Sequence, residues 1–221
     1  MDTKTHWETV YTRKAPETVS WYRPHLEASL ALIERAAGGN KSASIIDVGG
    51  GESTLVDDLL ARGYEHIAVL DISQVAIEVT QKRLGRAAEK VQWIAADITE
   101  ALELPSSFDI WHDRAVFHFL TVAEQRIAYV RNVINTVKPG GHLIISTFGP
   151  EGPAKCSGLD AMRYDAESLR NEFGVRFRAV ESSKELHCTP KGNTQQFLYL
   201  LLQGPMSDTA PQCFDEGPSY S

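Results

Sequence analysis

Three aspartates, each at the end of a short apolar run, are the residues whose type and spacing first point to chemistry. Asp47 precedes Gly49-Gly50-Gly51 in IIDVGGGES, Asp71 closes AVLDI, and Asp97 closes AADI. A carboxylate at a strand end can accept both hydrogens of a ribose diol, and another can accept from the exocyclic amine of adenine. Asp71 is placed for the first task and Asp97 for the second, with Ile72 and Ile98 beside them. The three glycines let the backbone turn sharply, so that a ligand can lie against bare peptide groups at the start of the next helix, past Ser53. In a dinucleotide-binding loop that helix end receives a pyrophosphate, and Thr54 stands where such a loop has its third small residue. Asp47 would repel a pyrophosphate but could accept hydrogen bonds, directly or through water, from an ammonium group. Any one of the three acids could equally cap the helix that follows it. Three at consecutive strand ends, the first with its glycine turn, are a rarer coincidence.

A second cluster, His112, Asp113 and His118, lies in FDIWHDRAVFHFL. Beyond the carboxyl end of a strand, such residues can orient a second reactant or remove its proton. The alternative is a hydrogen-bonded structural cluster, with Asp113 and Arg114 paired at the surface. Cys156, His187 and Cys188 could meet as soft ligands, but no ligand spacing supports a metal site, and none is expected.

The elements that must position these groups alternate. Strands are expected at Ser44–Val48, His66–Ile72, Val91–Ile98, Phe108–His112 and His142–Phe148. Between them, Thr54–Arg62 carries Leu55, Leu59 and Leu60 at helical spacing before Gly63, and Ser73 caps a helix containing Val75, Ile77, Val79 and Leu84. A helix over Val122–Val137 sets Ile127, Val130, Ile134 and Val137 on one face, and Pro139-Gly140-Gly141 ends it. Strands separated by helices imply a parallel sheet with right-handed crossovers. After a short helix over Asp165–Phe173 the rhythm changes, and Phe177–His187 and Thr194–Leu202 read as an antiparallel hairpin on the sheet edge. The expected fold is therefore a doubly wound α/β domain with a seven-stranded, mostly parallel sheet and a C-terminal antiparallel hairpin. It spans residues 1–203, with residues 1–40 as an N-terminal lid and helix; the Pro-, Gly- and Ser-rich stretch 204–221 reads as a disordered tail.

Size and charge narrow the function. The 221 residues suffice for one sizeable core. A formal net charge of -7 argues against a sequence-independent nucleic-acid binder. No apolar run approaches the roughly 20 residues that cross a bilayer, and the first eleven residues lack the apolar core of a signal peptide. Three cysteines without a C-x-x-C pair fit a reducing cytoplasm.

Together these motifs resemble the class I S-adenosylmethionine (SAM)-dependent methyltransferases, over Ile45 to Phe148 and more loosely to Gln203. The resemblance implies SAM as cofactor and S-adenosylhomocysteine (SAH) as product. It assigns Asp47, Gly49, Gly50, Gly51 and Ser53 to the methionine side, Asp71 and Ile72 to the ribose, and Asp97 and Ile98 to the adenine. VKPGG, residues 137–141, is similar to the family's turn before strand five. It also implies that His112, Asp113 and His118 face the acceptor, with His112 reaching the cofactor as well. Trp7 and Tyr11, followed by Trp21, are similar to the Trp-x-x-x-Tyr opening of the branch that includes elongation-factor lysine methyltransferases, in which an N-terminal aromatic segment folds over the cofactor. Aromatic faces suit a sulfonium or ammonium cation, at about 0.5–2 kcal/mol each; alternatively, these rings dock a helix on the sheet. That branch often has Asp-Lys-Gly after strand four, where this chain has Asp113-Arg114-Ala115. The expected acceptor is a small molecule, with a protein lysine as the alternative. A nicotinamide-dependent oxidoreductase fits poorly with Asp47 and the hairpin, and a non-catalytic SAM binder fits poorly with the His/Asp cluster.

Overall fold

The computed structural model describes residues 2–102, 104 and 107–205. From residue 206 onward, the expected tail lies outside the described residues. In chain order the elements are α1 (Thr3–Arg13), α2 (Glu27–Ala37), β1 (Ser44–Val48), α3 (Leu55–Ala61), β2 (His66–Asp71), α4 (Gln74–Leu84), β3 (Val91–Ala95), β4 (Phe108–Arg114), α5 (Ala123–Thr136), β5 (Val137–Phe148), the two-residue strands β6 (Lys155–Cys156) and β7 (Leu159–Asp160), α6 (Ala166–Phe173), β8 (Arg178–Cys188) and β9 (Thr194–Gln203).

The main sheet has seven strands in the order β3-β2-β1-β4-β5-β9-β8. The first five are parallel, β9 runs antiparallel to β5, and β8 antiparallel to β9. Successive residues of one strand feed opposite cores, as the two-residue period of a strand requires. Ile46, Trp111 and Leu143 pack with Tyr129, Val133 and Leu169 from α5 and α6, whereas Ile45, Ile110 and Ile144 pack with Ile33, Leu55 and Leu59 from α2 and α3. A sheet covered on both faces explains why its central strands read as unbroken apolar runs. Between β1 and β4 the winding reverses, since β2 and β3 lie on one side of β1 and β4 and β5 on the other. Ligands of open α/β sheets bind outside the strand ends at such a switch point.

The main departure from expectation is α5. Its buried residues are Tyr129, Asn132, Val133 and Thr136, while Ile127 is 68% and Ile134 38% exposed. Polar groups choose the face. The Trp111 indole N–H donates to the Tyr129 hydroxyl at 2.9 Å, that hydroxyl donates to Asp113 at 2.6 Å, and Asn132 donates to the carbonyls of Ile98 and Glu100. An apolar-periodicity argument cannot see a helix docked through Tyr and Asn. The strand boundaries shift as well. β3 stops at Ala95, leaving Asp97 in the following turn, and β4 runs on to Arg114, carrying His112 and Asp113 inside the strand. The Pro-Gly-Gly turn lies within β5, because Val137 already pairs with Phe108.

Candidate active site

A cavity of about 390 Å³ opens beyond the carboxyl ends of the parallel strands, and a smaller one of about 50 Å³ adjoins the glycine turn; Gly49, Tyr11, Trp21 and Arg114 line both. Asp71, Ile72, Asp97 and Ile98 line the larger cavity together. Asp71 is buried and accepts from the backbone N–H of Ser73 at 2.8 Å. Burial, aided by repulsion from Asp47, pushes its carboxyl up to about 7. Asp97 accepts from the backbone N–H and the hydroxyl of Thr99, both on Oδ1.

The glycine turn is built against these acids. Gly49 has φ 71° and Gly51 φ 24°, and both Gly49 and Gly50 donate their N–H to the carbonyl of Leu70. A Cβ on Gly49 would stand 2.0 Å from Val116 Cγ2, one on Gly50 2.5 Å from Asp47 Oδ2, and one on Gly51 2.7 Å from Asp71 Oδ2. Glycine is therefore needed here for backbone conformation and for contact with protein side chains, and not only to let a ligand approach. Gly50 and Ser53 line the smaller cavity, and Ser53 Oγ also accepts from the N–H of Leu55. Glu52, which the motif reading passed over, is buried there with Oε2 unpartnered, and burial raises its carboxyl to about 7.

The cluster after β4 divides. His112 lies opposite Asp47 in the β1–β4 register, its Nδ1 2.7 Å from Asp47 Oδ1 and its Nε2 2.9 Å from Ser29 Oγ. Both ring nitrogens are thus engaged within the protein, and the ring touches only the smaller cavity. Asp113 is buried with both oxygens committed, to the N–H groups of Val116 and Phe117 and to the Tyr129 hydroxyl. Burial lifts its carboxyl to about 6, and it lines neither cavity. It fixes the turn that presents His118. His118 does line the larger cavity. Its ring stacks on Phe148 at 4.3 Å, its Nδ1 accepts the Phe148 backbone N–H at 3.2 Å, and its buried Nε2 has no partner. Burial and the nearby Arg114 hold the ring neutral, at about 3. A neutral imidazole whose Nδ1 is an acceptor carries its proton on Nε2. His118 therefore offers the cavity a hydrogen-bond donor, where the sequence suggested a base.

The N-terminal aromatics assemble as a group. Trp7 packs against Tyr11, Trp21 and Phe119, with ring centroids 5.9, 5.8 and 5.1 Å away. Helix α1 is fastened beside the cavity by Glu8, whose carboxylate accepts from the Ser73 hydroxyl and from the N–H groups of Gln74 and Val75 at the start of α4. The cysteine and histidine set does not assemble. Cys156 is buried in the wall of the larger cavity, with its thiol raised by burial. His187 is tied to Arg23 and the carbonyl of Ser20, and Cys188 is exposed. Among the described residues no group of three His, Cys, Asp or Glu side chains could hold a metal ion.

Phe119, Phe148 and Phe197, which line the larger cavity, come from three distant segments and carry no motif. Arg114 had a signal, standing where the lysine-methylating branch often has lysine.

A family model described as a methyltransferase domain matches residues 45–141. The chain is similar to the eEF1A lysine and N-terminal methyltransferase of Bos taurus, at 24% identity over 95% of this chain and 30% of that protein. It is also similar to the malonyl-[acyl-carrier protein] O-methyltransferase of Halalkalibacterium halodurans, at 30% identity over 58% of this chain and 47% of that one. The chain spans about half or less of the length of the curated relatives it matches. In fold it is similar to the N-methyltransferase NodS from Bradyrhizobium japonicum in complex with SAH, with a TM-score of 0.70 and 16% identity over 92% of this chain and 100% of that one. The family match covers residues 45–141, and the fold is shared with solved SAM-dependent methyltransferases. SAM is the cofactor of that class. The residues present suit it, since Glu52 is a buried carboxyl with an unpartnered oxygen and Asp71 a buried carboxyl in the cavity wall, and SAM brings hydroxyl and ammonium donors.

Proposed function

We propose that this chain catalyses methyl transfer from SAM to a small nucleophilic acceptor held in the larger cavity. The observation that carries this reading is one cavity lined by two unlike sets of groups, which the reading assigns to two ends: strand-end acids with Ile72 and Ile98, and rings with Arg114 and His118. In this reading Asp71 holds the ribose diol and Asp97 the adenine amine. Asp47 and Glu52 offer negative charge to the ammonium group, and Trp7, Tyr11 and Trp21 offer aromatic faces to the sulfonium. When bound, SAM supplies an electrophilic methyl group. The protein's own contribution is alignment in a site that excludes water, closed on one side by α1, and no side chain is assigned the role of base. His118 and Arg114 orient the acceptor by donation.

The alternative is a protein lysine acceptor, favoured by the likeness to the eEF1A methyltransferase over nearly the whole chain. Arg114 weighs against it, because a lysine ammonium entering the cavity would meet a guanidinium. Two measurements test the reading. Thermal-shift titration should show stabilisation by SAM and SAH and none by NAD. Tritiated SAM, offered with thiols, amines, carboxylates and a lysine peptide, should label a small molecule. Stabilisation by NAD alone, or label only in the peptide, would contradict it.

A further inference from the structure

The acceptor end of the cavity holds two donors that the protein leaves unused. Arg114 donates from Nε to the Tyr199 hydroxyl at 3.0 Å and from Nη1 to the carbonyl of Trp21 at 3.1 Å, while its guanidinium lies 4.5 Å over the Phe197 ring. Its Nη2 is buried and unpartnered. None of the ion pairs among the described residues includes it. His118, fully buried, lines the same cavity, and its Nε2–H is also without a partner. A buried donor left unsatisfied costs about 1–3 kcal/mol, and more when charged. A native site that keeps two of them together, one on a cation whose only link to a carboxylate among the described residues runs through the Tyr199 hydroxyl to Glu185, is built to be completed by a ligand. Around them stand Phe119, Phe148, Phe197 and Leu159, with the Cys156 thiol and with Asp160, whose carboxylate pairs with Lys155 at 3.1 Å.

Building on the methyltransferase reading, we propose that the acceptor is a small organic anion with an apolar, aryl-sized body, its charge held by Arg114 Nη2 and the Nε2–H of His118. The charge sign excludes a protonated amine at that position. A guanidinium that keeps three contacts to protein is also pre-oriented, so little side-chain entropy is lost when the anion arrives. A carboxylate and a thiolate share the chemistry that these donors recognise. His118 lines only the larger cavity, and this favours the acceptor over the cofactor's own carboxylate as the group they share.

The test is calorimetric titration of the full chain, free and loaded with SAH, using phenylacetate, benzenethiolate, benzylamine and benzyl alcohol. In the loaded protein at least one anion should bind about tenfold or more tighter than the alcohol, with the amine weakest. The stronger of the two anions names the source of the charge. Arg114→Gln should bring that anion to within about threefold of the alcohol while SAH affinity stays within about threefold of wild type; Arg114→Lys should keep part of the preference. If Arg114→Gln fails to fold, the wild-type series and His118→Phe, which keeps the stacking on Phe148, decide the matter. The alcohol or amine binding as well as both anions would overturn the proposal. So would an Arg114→Gln protein that loses SAH and keeps its anion preference, which would give the guanidinium to the cofactor. A wild-type protein that binds neither SAM nor SAH would remove the methyltransferase reading instead.

Discussion

The two ends of the cavity are built in opposite ways. At the cofactor end, the acids at the tips of β1 and β2 and in the turn after β3 come from adjacent parallel strands, each delivered by the same local device, an apolar run that stops at a carboxylate. At the acceptor end, the lining comes from α1, the turn after β4, the end of β5, the loop strands β6 and β7, and β9, and its unpartnered polar groups are the donors of Arg114 and His118, the Asp160 carboxylate being paired with Lys155. One end gathers negative charge and waits for donors; the other carries a cation and an N–H and waits for an acceptor. The first rests on a pattern repeated at consecutive strand ends, and the second on segments distant in sequence. Changes at the two ends should therefore have separable effects.

The largest effect is expected from Asp71→Ala. Two charge-assisted hydrogen bonds, at roughly 1.5–3 kcal/mol each, amount to a loss of about 100-fold or more in SAM affinity. Calorimetry on the folded variant should show it, and unchanged affinity would take Asp71 out of the site. Next comes His112→Ala, which strips buried Asp47 of its partner and α2 of its link through Ser29. Removing one member of such a pair typically costs about 3–5 kcal/mol, so a large fall in urea midpoint is expected. A variant as stable as wild type but slow in turnover would instead assign His112 to the reaction.

A pH effect should follow at the cofactor end. With no ligand bound, burial holds the Asp71 carboxyl at about 7, and a diol favours the ionised form. Binding then lowers that pKa and releases a proton. SAM affinity should rise with pH up to about 7 and level off above, and calorimetry in buffers of different ionisation enthalpy should report the proton. The sign for the unliganded fold is opposite. A carboxyl raised on folding contributes stability present below its unfolded value near 4, and that stability fades as pH rises toward 7. The smallest effect is that of Glu8→Ala, which unfastens α1 from α4. Losing this cap should cost about 1 kcal/mol and speed SAM dissociation about fivefold in stopped-flow fluorescence, with little change in overall stability. An unchanged rate would mean that α1 does not gate the cavity.

What was legible in the sequence follows the same division. The alternation of strands and helices, the terminal hairpin and the strand-end acids can be read because each rests on a local pattern. The face of α5 could not, because Tyr129 and Asn132 dock it through hydrogen bonds to β4 and to the turn after β3. The roles of the β4 cluster could not either. His112, Asp113 and His118 look alike in sequence, and only tertiary partners separate a histidine tied to Asp47, an aspartate closing a turn, and a histidine with a free N–H. Phe148 and Phe197 gave no signal, since a buried phenylalanine in a strand reads as core whether or not it also walls a cavity.

In the proposed reading the acids serve the cofactor, while Arg114 and His118 serve the acceptor. A crystal structure of the full chain with SAH tests this most directly. It should show the ribose hydroxyls on Asp71 and the adenine amine on Asp97, with Ile72 and Ile98 against the base, and the Nη2 of Arg114 and Nε2 of His118 untouched by the cofactor. A cofactor carboxylate seated on Arg114, or an adenine remote from Asp97, would contradict it.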